Sequence, residues 1–406
     1  MTEVSAAEPL PYPVKAPSAL RPAPQREGLR EKCPVARVAL PSGDEAALLS
    51  RYEGVRTALS DPCFSREGLM RPDAALAAAG NSGGVFDSPM GRTVNALGHD
   101  RWRRTVGRWF TAKRMAALRP DMEAMCDKLV DGLLEQGCPA DLVAGLAFPL
   151  PVFVICRMLG VPEGDRDRFK NWSDIFLDTA RFTREETQAA HAEFAAYMSG
   201  LIEGKRARPG DDLLSLLLAG AGGTGEPMAE DVLAATGQAL FLAGHETTAG
   251  FISLMVARLL SDRRRWERLL RDPSLTRLAV EESLRCDPSG SNFGMLRHTH
   301  EDVELPGGLV RAGTTVVCGM AAADRDERAW EDADKMDLGR TPNPHLAFGA
   351  GAHSCLGRPL ARTGMEAALS VLLRRLPTLD LAVGADQLRS HEGLLTAPLR
   401  ELPVVW

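Results

Sequence analysis

Residues 348–357 read Phe-Gly-Ala-Gly-Ala-His-Ser-Cys-Leu-Gly. Cys355 thus ends a glycine-rich loop directly before an apolar-periodic stretch, Leu356 to Leu373, whose spacing predicts a helix. A thiol at a helix N-terminus meets unpaired N–H groups and the positive end of the dipole, and both favour the thiolate, which is the nucleophilic and metal-binding form. Gly349, Gly351 and Gly357 would let backbone pass close to a flat partner. A zinc site at His353 and Cys355 needs two further ligands in a local array, and none has the spacing. The other seven cysteines (33, 63, 126, 138, 156, 286 and 318) form no C-x-x-C pair, so most of them read as small buried hydrophobes.

Three other groupings have chemical potential. Glu282 and Arg285 stand at i, i+3 on a predicted helix, which puts opposite charges on one face. Ala243-Gly244-His245-Glu246-Thr247-Thr248 interrupts a helical pattern with a glycine and paired threonines, all unfavourable in a helix interior. This predicts a local opening where hydroxyls and freed carbonyls face a ligand or water. His99 and Arg103, at i, i+4, aim two cationic or donor groups at one anion.

The cysteine loop fits F-G-x-G-x-H-x-C-x-G at every fixed position and so resembles the haem-binding loop of cytochrome P450 monooxygenases. The other groupings resemble that family's E-x-x-R pair, its A-G-x-[D/E]-T-[T/S] oxygen-activation motif and its H-x-x-x-R propionate helix. Phe148-Pro149-Leu150-Pro151, Leu159-Gly160-Val161-Pro162 and Ala322-Ala323-Asp324-Arg325-Asp326 resemble further family segments. Two departures are local: Asn95-Ala96-Leu97 stands for the usual D-P-P, and Arg325-Asp326-Glu327 for the usual R-D-P.

The resemblance implies haem b with Cys355 as the axial iron ligand. The sulfur would push electron density toward the iron and favour O–O cleavage. Phe348, Gly349, His353 and Gly357 would frame the haem, with His99, Arg103 and Arg297 holding its propionates with His353. Glu246 and Thr247 would organise proton delivery. Glu282 and Arg285 would form a structural pair joined by Arg340. Substrate contacts map by analogy to the 64–98 loop, the 170–200 helices, residues 239–247 and 290–296, and the turn at 394–396, with Leu242, Ala243, Phe293, Met295, Leu394 and Leu395 making an apolar pocket.

The elements that must position these groups are mostly helical. Helix-period patterns run over Pro120 to Leu134, Phe182 to Lys205, Glu230 to Asp262 and Leu275 to Cys286. The third would be the long central helix, with the haem between it and the helix after the cysteine loop. A Pro41-Ser42-Gly43-Asp44 turn between Val35 to Leu40 and Ala46 to Ser50 suggests a hairpin, and short β-like runs recur at Glu301 to Leu305, Leu309 to Arg311 and Thr314 to Cys318. The fold class expected is mainly α with small β-sheets, as a proline-rich N-terminal arm over 1–35 and one catalytic domain over 36–406. Residues 80–90 read as a loop of the kind that gates a site.

With 406 residues and a net charge of −6 there is room for a buried cofactor and no electrostatic reason to expect nucleic acid. No run reaches the roughly 18 uninterrupted apolar residues of a membrane span, and no secretory h-region is seen. A cytoplasmic monomer without membrane or nucleic-acid partners is the expectation. Electrons are expected from a separate ferredoxin and its reductase, steered by Arg101, Arg104, Arg108, Lys113, Arg114, Arg358 and Arg362. The expected reaction inserts one oxygen atom from O2 into a small hydrophobic molecule, a secondary-metabolite intermediate. Oxidative coupling or cyclisation by the same chemistry is the alternative within the family, and a non-catalytic haem gas sensor is the alternative outside it.

Overall fold

The computed structural model describes residues 8–76, 93, 98–177, 182–220, 228–287, 294–391 and 398–406. Strand β1 (Leu10–Pro11) and helix α1 (Gln25–Lys32) occupy the proline-rich segment, which is therefore not extended throughout. Strands β2 (Val35–Ala39) and β3 (Glu45–Leu49) form the expected hairpin, its turn closed by Gly43 at φ +93°. Helix α2 (Tyr52–Ser60) and strand β4 (Phe64–Ser65) follow.

The helical body comprises α3 (His99–Gly107), α4 (Ala112–Gln136), α5 (Pro149–Leu159), α6 (Arg166–Leu177), α7 (Arg184–Ala207), α8 (Leu213–Leu218), α9 (Glu230–Leu260), α10 (Arg263–Arg271) and α11 (Thr276–Cys286). Helix α4 begins eight residues before Pro120, the start expected from sequence. The Thr111 hydroxyl caps the amide of Arg114, and Arg119 is drawn to Glu366 at 3.1 Å, so capping and packing carry the helix through an unfavourable proline. Helix α7 starts on a capping box in which Thr183 and Glu186 satisfy each other's amides. Its start departs by only two residues from that predicted.

Strand β5 (Ala140–Asp141) pairs with the C-terminal strand, and β6 (Met295–Thr299), β7 (Val303–Leu305), β8 (Gly308–Val310) and β9 (Thr315–Cys318) follow α11. The last elements are α12 (Met320–Ala323), α13 (Arg358–Arg375), β10 (Asp380–Leu381) and β11 (Pro403–Val405). The six-stranded sheet has the order β1-β2-β3-β9-β6-β4, and smaller sheets are β10-β11-β5 and β7-β8. This is the mainly helical architecture with small sheets that the patterns predict.

Helix α9 is the axis of the core, with α5, α7, α11 and α13 packed around it. Its 31 residues span about 47 Å at about 1.5 Å per residue. Among the described residues it is the one helix long and apolar enough to cross a bilayer, and 67% of that apolar window is buried inside the protein.

Candidate active site

The cysteine loop is shaped by hydrogen bonds and two left-handed glycines. The Cys355 amide donates to the Phe348 carbonyl at 2.8 Å, and Gly349 and Gly351 have φ of +66° and +69°. A β-carbon on Gly351 would lie 2.6 Å from the Ser60 Cα, so the end of α2 admits only glycine there. Helix α13 begins at Arg358, and the thiol therefore sits just before its N-terminus. The residue is open to solvent on one side while protein atoms crowd the sulfur on the other. That crowding raises the thiol pKa, against the amides of Gly357 and Arg358 and the guanidiniums of Arg358 and Arg103. Burial thus outweighs the helix terminus, contrary to the sequence expectation of a spontaneous thiolate. A coordinating metal ion reverses that balance, because its charge deprotonates a bound thiol outright.

Phe348 is buried under the loop, with the Arg362 guanidinium 4.7 Å from its ring centre. Arg362 also donates to both oxygens of Glu281, at 2.6 and 2.7 Å, and His345 Nε2 lies 3.1 Å from the same carboxylate. Arg362, expected as a steering charge, is therefore committed to bracing the loop. Burial pushes the Glu281 pKa up, but His345 and Arg362 outweigh it and hold it at about 2. A carboxyl depressed from 4.5 contributes stability that is complete above about pH 4.5 and disappears as the pH falls toward 2. Over that window Glu281→Gln is expected to lose less stability than the parent, as read from urea midpoints against pH.

A cationic pocket adjoins the loop. The rings of His99, at the start of α3, and His353 have centroids 4.1 Å apart. Arg103, one turn further, donates to the Ser354 carbonyl and lies 3.3 Å from the Ser354 hydroxyl. It is thus anchored to the loop backbone beside His99 and His353. Arg297, on β6, is 3% exposed, and among the described residues it has no carboxylate at ion-pair distance. Its Nη1 donates to the Leu296 carbonyl, while its Nε and His353 Nδ1 are buried without a partner. Burial, then the charges of His99, Arg66 and Arg297, lowers the His353 pKa to about 4. Unpartnered donors and clustered positive charge are what a bound anion would satisfy. Arg66 was not singled out by sequence because it lies in a turn outside any motif.

Helix α9 runs unbroken past the threonines, contrary to the expected opening. The Thr247 hydroxyl donates back to the Ala243 carbonyl at 2.9 Å, which satisfies it within the helix. Gly244 has a packing reason, since a β-carbon there would come within 2.7 Å of Ile155 on α5. Ala243 is nevertheless exposed, and Glu246 and Thr247 are half-buried, midway along a helix buried on both sides. That patch faces open space. Met295 is also exposed, at 44%, whereas Leu242 packs partly against the core. Phe293, Leu394, Leu395, the 80–90 loop and most of the 64–98 stretch lie outside the described residues.

Glu282 and Arg285 meet in the core. Both side chains are fully buried, and Arg285 donates to both carboxylate oxygens at 2.7 and 2.8 Å. Arg340 Nε reaches Glu282 at 3.1 Å, the Asn343 amide at 3.0 Å and the Asp337 backbone amide at 2.9 Å. Arg285 also donates to the carbonyls of Asp324, Ala333 and Lys335. The pair thereby clamps the segment leading to the cysteine loop.

The family model for cytochrome P450 matches residues 155–400. The chain is a cytochrome P450. This P450 is 42% identical over 403 residues to nocardicin C N-oxygenase of Nocardia uniformis subsp. tsuyamanensis, covering 97% of this chain and 98% of the relative. It is also 42% identical over 404 residues to mycinamicin IV hydroxylase/epoxidase of Micromonospora griseorubida, covering 99% and 100%. Its fold is similar to the structure of the mixed-function P450 MycG, with a TM-score of 0.88 at 41% identity over 98% of this chain and 100% of that one. The LnmA P450 hydroxylase from the leinamycin pathway of Streptomyces atroolivaceus gives 0.85 at 41% identity, with the same coverage. The P450 is a bacterial monooxygenase with a haem-thiolate cofactor, of the kind found in actinobacterial secondary-metabolite pathways.

The residues present fit that cofactor. A sulfur beside backbone amides suits an iron ligand, and the buried, unpartnered Arg297 Nε and His353 Nδ1 suit propionate carboxylates.

Proposed function

We propose that this P450 inserts one oxygen atom from O2 into a small hydrophobic secondary-metabolite intermediate, using haem b held by Cys355. When bound, the haem activates dioxygen with two electrons and two protons, and thiolate electron donation favours O–O cleavage. Arg297, His99, His353 and Arg103 bind the propionates, and Arg103 also holds the Ser354 backbone so that the sulfur keeps its place. Phe348, Gly349 and Gly357 shape the loop around it. The observation that carries the reading is the exposed Ala243 beside half-buried Glu246 and Thr247 on a mostly buried helix. A carboxylate and a hydroxyl on such an accessible turn can pass a proton inward from water.

Glu246→Gln and Thr247→Val are expected to lower product formation by about a hundredfold and roughly tenfold, respectively. Electron consumption should fall less, the difference going to peroxide. Product and peroxide yields per reducing equivalent measure this, and unchanged ratios would remove the relay.

The substrate pocket is taken to include Leu242, Ala243, Phe293, Met295, Leu394 and Leu395. The activities named for the relatives, N-oxygenation and hydroxylation or epoxidation, support a natural-product substrate. A spin-state screen over a natural-product panel tests this, and product mass under labelled dioxygen separates insertion from oxidative coupling or cyclisation, which leaves no label in the product. A haem gas sensor without turnover would consume no reducing equivalents on adding substrate.

Electrons come from a ferredoxin and its reductase, and the protein works as a cytoplasmic monomer, without membrane or nucleic-acid partners. Arg104, Arg108, Lys113 and Arg358 are exposed, and the end of α3 lies against the cysteine loop, where a β-carbon on Gly107 would stand 3.4 Å from Leu356. Arg114 is less available, with its guanidinium 4.3 Å from the Trp109 ring centre and 3.6 Å from Asp211. Arg104→Glu with Arg108→Glu is expected to slow ferredoxin-driven turnover about tenfold at low ionic strength and little at high salt. Equal rates in parent and variant at low salt would refute the docking face.

A further inference from the structure

His245 occupies the variable position of the oxygen-activation motif, beside Glu246, yet its side chain is fully buried. Its Nδ1 lies 2.5 Å from the hydroxyl of Ser173 on α6, which is also fully buried. The Phe148 ring meets the imidazole edge-on at 4.2 Å, and Phe241, one turn earlier on α9, stacks beside it at 6.1 Å. Its Nε2 is buried without a hydrogen-bond partner of good geometry. Burial lowers its pKa to about 4, so the ring is neutral near pH 7 and one of its nitrogens must accept.

The surrounding contact between α6 and α9 is apolar. Phe169 of α6 meets Phe241 of α9 at 5.1 Å, and Phe169 and Trp172 meet Phe194 of α7 at 5.5 and 5.0 Å. Aromatic faces of this kind tolerate small sliding displacements. A short, buried hydrogen bond does not, because separating its partners leaves both unsatisfied at a cost of about 1–3 kcal/mol. Two kinds of fastener therefore join α6 to α9, and the directional one lies beside the proposed proton-relay residues.

We infer that His245 is a positioning residue whose hydrogen bond to Ser173 fastens α6 to the turn of α9 carrying Glu246 and Thr247, so that helix and turn move as one unit. This rests on the reading of that turn as the face above the haem. A ligand seated at the turn is thereby sensed by α6, and the seating of α6 fixes where the Glu246 backbone stands.

Hydrogen–deuterium exchange of the ferric holoenzyme, with and without 4-phenylimidazole, tests the inference on segments 166–177 and 239–250. The probe should shift the haem absorption band and slow exchange in both segments of the parent protein. In Ser173→Ala the shift and the protection of 239–250 should persist, while the protection of 166–177 falls about fivefold. Ser173→Thr, which keeps the hydroxyl, should restore it. Equal protection of 166–177 in parent and alanine variant would overturn the latch, as would loss of protection in both segments together, which marks a merely structural bond. Absence of any band shift in the parent protein would instead count against the haem reading beneath it.

Discussion

Cys355→Ser is expected to abolish the red-shifted carbon monoxide spectrum of a thiolate-ligated haem and to lower monooxygenase turnover by at least about a thousandfold. The hydroxyl is nearly isosteric, so the loop should keep its shape: the backbone bond to Phe348 and the left-handed glycines do not involve the sulfur. Haem should still enter if, as proposed, Arg297 and His353 hold it from the propionate side. What is lost is electron donation from sulfur, which an alkoxide in this crowded setting cannot supply. Retention of both the spectrum and turnover would show that another group binds the iron.

Glu282→Ala should be the most damaging single change away from the cysteine. It removes a carboxylate with four donors and leaves Arg285, fully buried, next to Arg340, whose side chain is 11% exposed. Breaking a buried ion pair by deleting one partner costs about 3–5 kcal/mol. That is a large share of a typical stability of about 5–15 kcal/mol. We expect a loss of folded, haem-loaded protein, visible as a lower thermal midpoint and reduced haem retention. Arg340→Ala should cost less, about 1–3 kcal/mol, because Glu282 keeps Arg285, Asn343 and the Asp337 amide. A thermal midpoint of Glu282→Ala matching that of the parent would refute the structural role of this pair.

The parts of the site written as fixed spacings within one element were legible in sequence. Cys355 in its loop and the Glu282–Arg285 pair are of this kind, and the hairpin at 35–49 was legible through its turn residues. What could not be read depends on distant elements. Gly244 looked like a sign of helix opening, but it is a glycine because Ile155 of α5 needs the space. Thr247 satisfies its hydroxyl on the helix itself. At Cys355 the helix terminus is a local signal, whereas the burial that raises the thiol pKa comes from the whole fold. Arg362 looked like one of several surface arginines until Glu281, 81 positions away, came to face it. Ser173 and Arg66 carry no sequence signal at all, since their importance lies in what folds against them.

The fit between Gly351 and the end of α2, together with the pairing of β3 with β9, joins residues near position 50 to residues beyond position 300. A chain emerging from the ribosome therefore cannot seat its cysteine loop against α2 until the residues through position 351 have been synthesised. The early hairpin must wait, with one edge unpaired, for most of the synthesis time. Loading at the cysteine loop thus comes only after that loop has been made. A fragment that stops before β9 offers only an exposed sheet edge for chaperones and proteases to recognise.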